Sequence, residues 1–353
     1  MDNTVLAPPS SLHRTLDRRP KENGQLARQR WRLLAGALRG QTPDGPDPES
    51  PEVDHMTPLA CPGLSLFCYK PTSVPASCCD FTAQPADKGN WFRVRFYPGN
   101  FRNFEDDDGF RNFPKSAACL VRLLPKARCL SPGAILGFNN TGNVGIWPSE
   151  EMLAWKCFRE APRLFRGSRV LELGAGMTGL AGLLLATTGF PAQVWLTDGN
   201  EISARNLQIC VQQNQQSGCL SSPTLAGRLR WDRWSDWEDP PGLVEAAGQF
   251  DWILGGDLFF SEEYHSALLA TMRRFLKPGT GRVLLFAPRR SGSLQRFLNL
   301  AVTVGGFLVS VSADYLKELR SDLSPNFDSD WLELDRLDFD RQIPLMVLLN
   351  FQN

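Results

Sequence analysis

In the stretch R-V-L-E-L-G-A-G-M-T-G-L, Gly174, Gly176 and Gly179 end an apolar run and open an apolar helix pattern. Such a turn lets backbone approach a ligand closely and aims helix amides at it, so a diphosphate or the carboxylate of an amino-acid-like cofactor would suit it. Asp198, in L-T-D-G-N-E, ends the next apolar run at about twenty residues' remove, where a carboxylate accepts hydrogen bonds from ribose hydroxyls. Asn200 either joins it there or caps the following helix. Trp231 and Asp232, in L-R-W-D, offer a ring to stack on a purine and a carboxylate for its amino group. Gly256, Asp257, Phe259 and Phe260, in G-G-D-L-F-F, fall where a reacting group would sit.

The elements that must carry these residues alternate. R-V-L-E-L-G-A-G, Q-V-W-L-T-D-G, G-R-L-R-W-D, F-D-W-I-L-G-G-D and G-R-V-L-L-F-A-P-R-R read as five strands. Helices follow the first, second, fourth and fifth of them: G-L-A-G-L-L-L-A-T-T, E-I-S-A-R-N-L-Q-I-C-V-Q-Q-N-Q, S-E-E-Y-H-S-A-L-L-A-T-M-R-R-F-L and S-G-S-L-Q-R-F-L-N-L-A-V-T-V-G. F-L-V-S-V-S-A and I-P-L-M-V-L-L-N-F close the chain as strands. Strands almost bare of polar residues between helices predict a mostly parallel sheet covered on both faces, an open, doubly wound α/β fold with its ligand at the strands' carboxyl ends. This domain runs over 134–353. N-N-T-G-N-V-G-I-W-P-S-E-E-M-L-A-W leads into a helix before the glycine strand, which a dinucleotide domain opening on that strand does not need.

The N-terminal third reads differently. Residues 1–50, rich in Pro, Arg, Asp and Ser, are expected to be largely disordered. The exception is a short amphipathic helix at 25–39, with Ala27, Trp31, Leu34 and Leu38 on one face and arginines on the other. Residues 51–133 form a variable region: 41–88 reads as a proline-rich linker, N-W-F-R-V-R-F-Y-P-G as a strand, and F-E-D-D-D-G as an acidic turn without calcium-loop spacing. The N-terminal region is thus expected to be small or poorly ordered.

Composition narrows the function classes. The 353 residues are 42% hydrophobic with formal net charge +0, so no global field gathers nucleic acid. No apolar run is long enough for a membrane span, and the first twenty residues lack the apolar core of a secretory signal, so none is expected. Nine scattered cysteines lack metal-ligand spacing, so reduced thiols and no metal are expected.

The stretches F-N-N-T-G-N-V-G-I-W-P-S-E-E, E-L-G-A-G-M-T-G-L-A-G-L, L-T-D-G-N-E, A-R-N-L-Q, L-R-W-D and F-A-P-R-R together resemble the calmodulin-lysine branch of the seven-stranded protein methyltransferases, from about Gly137 to Phe307. The resemblance implies a Rossmann-like sheet with one antiparallel strand, I-P-L-M-V-L-L-N-F, and S-adenosyl-L-methionine as cofactor. It implies that Trp147, Gly174, Ala175, Gly176, Asp198, Trp231 and Gly256 line the cofactor pocket, with Asn200 beside Asp198 and Glu172 supporting the methionyl end. Asp257 takes the first place of the motif that sister enzymes write D-x-x-Y. Phe260 takes the fourth, so no phenol is available there.

On this reading Asp257 orients the target amine, and Phe259, Phe260 and Tyr315 wall the lysine channel. Arg289, Arg290 and Arg296 steer an acidic substrate such as calmodulin, or merely cap a helix or meet solvent. A monomer in the cytoplasm and nucleus is expected, bound to neither nucleic acid nor membrane. A lysine methyltransferase for another protein, an NAD-dependent oxidoreductase and a catalytically silent binding module remain alternatives.

Overall fold

The computed structural model describes residues 66–74, 90–96, 117–124, 145–232, 242–322 and 343–352. The helix expected at 25–39 and the acidic turn lie outside them. Three strands, β1 (Cys68–Pro71), β2 (Asn90–Phe96) and β3 (Ala117–Leu123), form a small antiparallel sheet. The linker expected over 41–88 is therefore corrected: Cys68–Pro71 pairs with β2, Cys68 opposite Arg95 and Pro71 opposite Phe92.

Helices α1 (Pro148–Arg159) and α2 (Ala161–Leu164) precede the large sheet. Pro148 starts α1 where an amide would have no helical partner, Glu150 and Glu151 lie in its first turn, and Lys156 and Arg159 in its last, all in keeping with the helix dipole. Then follow β4 (Arg169–Leu173), α3 (Leu180–Thr187), β5 (Gln193–Asp198), α4 (Glu201–Gln216), β6 (Thr224–Arg228) and β7 (Trp252–Gly256). The chain continues with α5 (His265–Phe275), β8 (Arg282–Ala287), α6 (Ser293–Thr303), β9 (Phe307–Ser312), α7 (Tyr315–Asp322) and β10 (Leu345–Phe351).

The large sheet has seven strands in the order β6-β5-β4-β7-β8-β10-β9, and the pairs among β4 to β8 are parallel. β10 runs antiparallel to both β8 and β9, so the chain makes one reversed strand, as expected. One boundary moves. The third strand is not G-R-L-R-W-D but T-L-A-G-R, because Val194 pairs with Thr224 and Asp198 with Arg228. The chain leaves the ladder after one further bond, Leu229 N to Asp198 O at 3.0 Å, and Trp231 stands beyond it.

Strand residues alternate between two buried faces, which is why their runs show so little polarity. Val170, Val194, Leu196, Trp252, Leu254, Leu284 and Phe286 pack with α1, α3 and the small sheet. Leu171, Leu173, Trp195, Ile253, Val283 and Leu285 pack with α5 and α6. Phe92, Val94 and Phe96 of β2 join the first of these cores, so the small sheet forms an added layer over the helices. α7 is tied to α1 by Arg159 Nη1 to Asp322 Oδ1 at 2.6 Å and Trp155 Nε1 to Asp322 Oδ2 at 3.1 Å.

Candidate active site

The carboxyl ends of β4, β5, β7 and β8 meet at one edge, where Leu173, Asp198, Gly256 and Ala287 end their strands. Between β4 and α3 the chain turns through Gly174 and Gly176 at φ +60° and +62°, a region L side chains rarely adopt. Gly174 is walled in: a Cβ there would lie 2.6 Å from Leu258 Cδ2 and 3.4 Å from Trp231 Cζ2. Gly176 faces open space, with nothing within 4 Å of such an atom. At Gly179 a Cβ would instead lie 2.8 Å from Leu207 Cδ2 and 3.0 Å from Leu196 Cδ1, so this glycine lets the helix pack on the sheet.

Side chains fix the loop. Asp198 accepts from Gly176 N at 2.9 Å through Oδ2 and from Asn200 N at 2.8 Å through Oδ1. Burial pushes its carboxyl up to about 6, against the pull of those two bonds. Ala175 N donates to Thr197 O at 2.9 Å. From α1, Glu150 Oε1 accepts from Leu180 N at 3.1 Å and from Thr178 Oγ1. Burial raises the Glu150 carboxyl to about 7 despite these donors, and the Asp198 charge adds to the rise. Trp147, at the N-cap of α1, is half-buried next to this contact. A Cβ on Gly256 would come within 3.3 Å of the Glu150 backbone, so β7 and the first turn of α1 are in close contact there.

The other expected site residues take these places. Glu172 is 2% exposed and accepts from Gly182 N of α3 at 2.8 Å, because its strand position points under the helix. Asn200 spends its side-chain oxygen on Ser203 N at 3.0 Å as the cap of α4. Asp232 accepts two hydrogen bonds from Arg230, at 3.0 and 2.7 Å. Phe259 walls no channel: it is fully buried, with its ring 4.4 Å from Phe297 and its carbonyl held by Ser293 Oγ at 2.6 Å. Tyr315 is buried in the other core, its hydroxyl donating to Pro344 O at 2.6 Å. Phe260 does stand at the rim, 37% exposed.

Asp257 and Arg290 form a unit that the sequence did not reveal. Arg290 Nε donates to Asp257 Oδ1 at 2.7 Å and Nη2 to Oδ2, a two-pronged ion pair joining the ends of β7 and β8. Asp257 (φ 57°), Arg290 (φ 47°) and Ser291 (φ 51°) are all left-handed, which costs about 1–2 kcal/mol per residue and recurs where function holds backbone in place. Asp257 N also donates to Phe286 O at 2.8 Å. Of the arginines expected at this rim, Arg290 pairs with Asp257 and Arg296 with Glu262. Arg289 is exposed at the rim.

The helix end behind the glycines bears on which cofactor fits. In a diphosphate site those amides face the phosphates. Here Glu150 occupies Leu180 N and Glu172 occupies Gly182 N, so these two helix amides are already taken and are not donors left open to a phosphate.

Residues 139–303 match the model of a family described as lysine methyltransferase. The chain is 31% identical over 216 residues to the calmodulin-lysine N-methyltransferase of Arabidopsis thaliana, covering 61% of this chain and 67% of that protein. The chain belongs to the lysine methyltransferase family. It is an S-adenosylmethionine-dependent protein-lysine methyltransferase. It is also 35% identical over 133 residues to protein N-lysine methyltransferase METTL21A of Danio rerio, covering 38% of this chain and 55% of that one. With histone-arginine methyltransferase METTL23 of Rattus norvegicus it shares 35% identity over 127 residues, 36% of this chain and 51% of that one. The chain thus spans about half the length of these last two relatives.

Proposed function

We propose that this methyltransferase modifies a lysine of calmodulin. The carrying observation is the reach of the similarity: 216 residues shared with the Arabidopsis calmodulin enzyme, against 133 and 127 with METTL21A and METTL23. The cofactor brings an electrophilic methyl group on a positively charged sulfur. Asp198 would hold its ribose, Gly174, Ala175 and Gly176 would pass close to its amino-acid end, and Trp231, packed against Gly174, would flank its base. Trp147 and Gly256 would complete the wall.

The chain's part in the reaction is to deliver a neutral amine in line. Lysine has an ordinary pKa of about 10.4, so the entering ammonium must lose its proton before nitrogen can attack. Leaving water for the rim at Phe260 favours the neutral form. The Asp257 carboxylate, oriented by Arg290, keeps lone pairs to accept a hydrogen bond from that amine and aim it. The proton passes to water. The bound cofactor would supply its methyl group to that nitrogen and leave as the thioether.

Exposed Arg289 suits an acidic partner. A reducing compartment, cytoplasm or nucleus, suits the buried free thiols Cys119, Cys157 and Cys210. The test is intact-protein and peptide mass spectrometry of calmodulin after incubation with the enzyme and isotopically labelled cofactor. Label on one calmodulin lysine supports the proposal. Labelling of another lysate protein with calmodulin unmodified, or label on arginine, refutes it.

A further inference from the structure

The small N-terminal sheet touches the cofactor loop from behind. Met177 belongs to that loop, between Gly176 and Thr178, and is 4% exposed. Its carbonyl accepts from Asn206 Nδ2 at 2.8 Å, and the same amide donates to Arg122 O of β3 at 2.8 Å. Arg122 Nη1 returns a bond to Asn206 Oδ1 at 3.3 Å, and Leu124 N donates to Met177 Sδ at 3.3 Å. Two helical turns along α4, Asn214 binds both backbone groups of Leu120 at 2.7 Å, as a neighbouring strand would. The outer edge of β3 is therefore sealed by side-chain amides of α4, and one of these amides also holds the glycine loop. A second tie runs from β1: Tyr69 OH donates to Glu151 Oε1 at 2.9 Å, next to Glu150, which caps α3, and four residues from Trp147.

The loop is consequently gripped on two sides. Thr197 O and the Asp198 carboxylate take Ala175 N and Gly176 N from the sheet side, while Asn206 takes Met177 O from the other. A turn with two left-handed glycines is soft on its own, and such an element binds with full affinity only when its surroundings hold it in the bound shape.

We propose that the three-stranded sheet is a working part of the cofactor site, with Asn206 as the positioning residue that couples β3 to the glycine loop and Tyr69 as its counterpart for the Trp147 wall. The proposal rests on S-adenosylmethionine as cofactor and holds for any protein substrate. Asn206 touches no cofactor atom in this account. It acts through Met177.

The experiment is calorimetric titration of the full chain with S-adenosylhomocysteine, paired with thermal unfolding and hydrogen exchange of 174–182. Asn206→Ala is expected to weaken binding about tenfold, the effect of roughly one to two lost buried hydrogen bonds, and to speed exchange in the loop. Tyr69→Phe is expected to weaken it about threefold, below the loss of a whole hydrogen bond in the loop itself. Met272→Ala, a cavity in α5 on the opposite face, is the control: it lowers the melting temperature and leaves affinity unchanged. If Asn206→Ala does not fold, Arg122→Met decides, because it keeps the buried stem and removes the guanidinium bond that orients the Asn206 amide; it is expected to weaken binding in the same direction. Wild-type affinity in the folded variants of this network, with only the melting temperature lowered, overturns the proposal.

Discussion

Replacing Glu172 with Gln is expected to flatten the pH dependence of stability in the cofactor-free protein and to stabilise it at alkaline pH. Burial, reinforced by the charge of Glu150, raises the Glu172 carboxyl from 4.5 to about 8, while the bond from Gly182 pulls the other way. The folded protein keeps this proton until about pH 8, whereas the unfolded chain gives it up near its ordinary value. Between those limits the folded state binds more protons, so stability falls as pH rises. From about pH 6 to about pH 8 the unfolded group gains nearly the full two decades of ionisation and the folded group only begins to ionise, a net loss of about 2 kcal/mol. For a chain of this size that is about 3 °C in Tm.

Glu172→Gln keeps an oxygen for Gly182 N and carries no charge. Glu150 contributes with the same sign in both proteins, so the difference between them isolates Glu172. Urea unfolding of both proteins at about pH 6, 7 and 8 measures it, with the loss integrated over the titration. Equal pH slopes refute the reasoning, as does a variant less stable than wild type at the alkaline end. S-adenosylhomocysteine affinity should be the same in both, because this carboxylate faces α3.

Three further outcomes are expected. Gly176→Ala, forced to φ +62° with its methyl in the open face of the loop, should cost about 1–2 kcal/mol of stability and abolish measurable cofactor binding by calorimetry; retained affinity would place the cofactor elsewhere. Wild-type affinity for S-adenosylhomocysteine should weaken as pH falls through about 6, where Asp198 takes up its proton and stops accepting freely, and Asp198→Asn should bind weakly without that dependence. Asp257→Asn and Arg290→Gln should each lower kcat by about tenfold or more, with the double variant no worse than Asp257→Asn alone; additive losses would show that the two act separately.

The fold was legible where burial on both faces strips strands of polar residues. β4, β5, β7, β8, β9 and β10 stand within a few residues of their expected places, and the site residues at strand ends follow from that. β6 slipped by three residues because Leu229 and Trp231 are buried yet lie past the ladder, so hydrophobicity alone extended the strand. β1 and β3 were not legible. C-Y-K-P is short and partly exposed, and A-A-C-L-V-R-L is buried almost throughout and offers neither alternation nor a turn. The ion pair of Asp257 with Arg290 joins residues 33 apart through left-handed backbone, which no propensity suggests for either residue type.

Asn206 shows why the rest of the site stayed hidden. On a helix rich in Gln and Asn, an amide reads as part of a solvated face, yet Asn206 is 2% exposed and Asn214 fully buried. With Cys210 they fall at a spacing of four, on one stripe of α4, and that stripe faces the edge of β3. An apolar stripe would have left both backbone groups of Leu120 and the carbonyl of Arg122 buried without these partners, at a cost of about 1–3 kcal/mol for each group. The amides meet that need, and at Asn206 the surplus donor reaches Met177. The residues that shape the glycine loop from behind are thus chosen by the hydrogen-bonding demand of a strand edge some eighty residues earlier in the chain, a demand visible only once β3 and α4 are side by side.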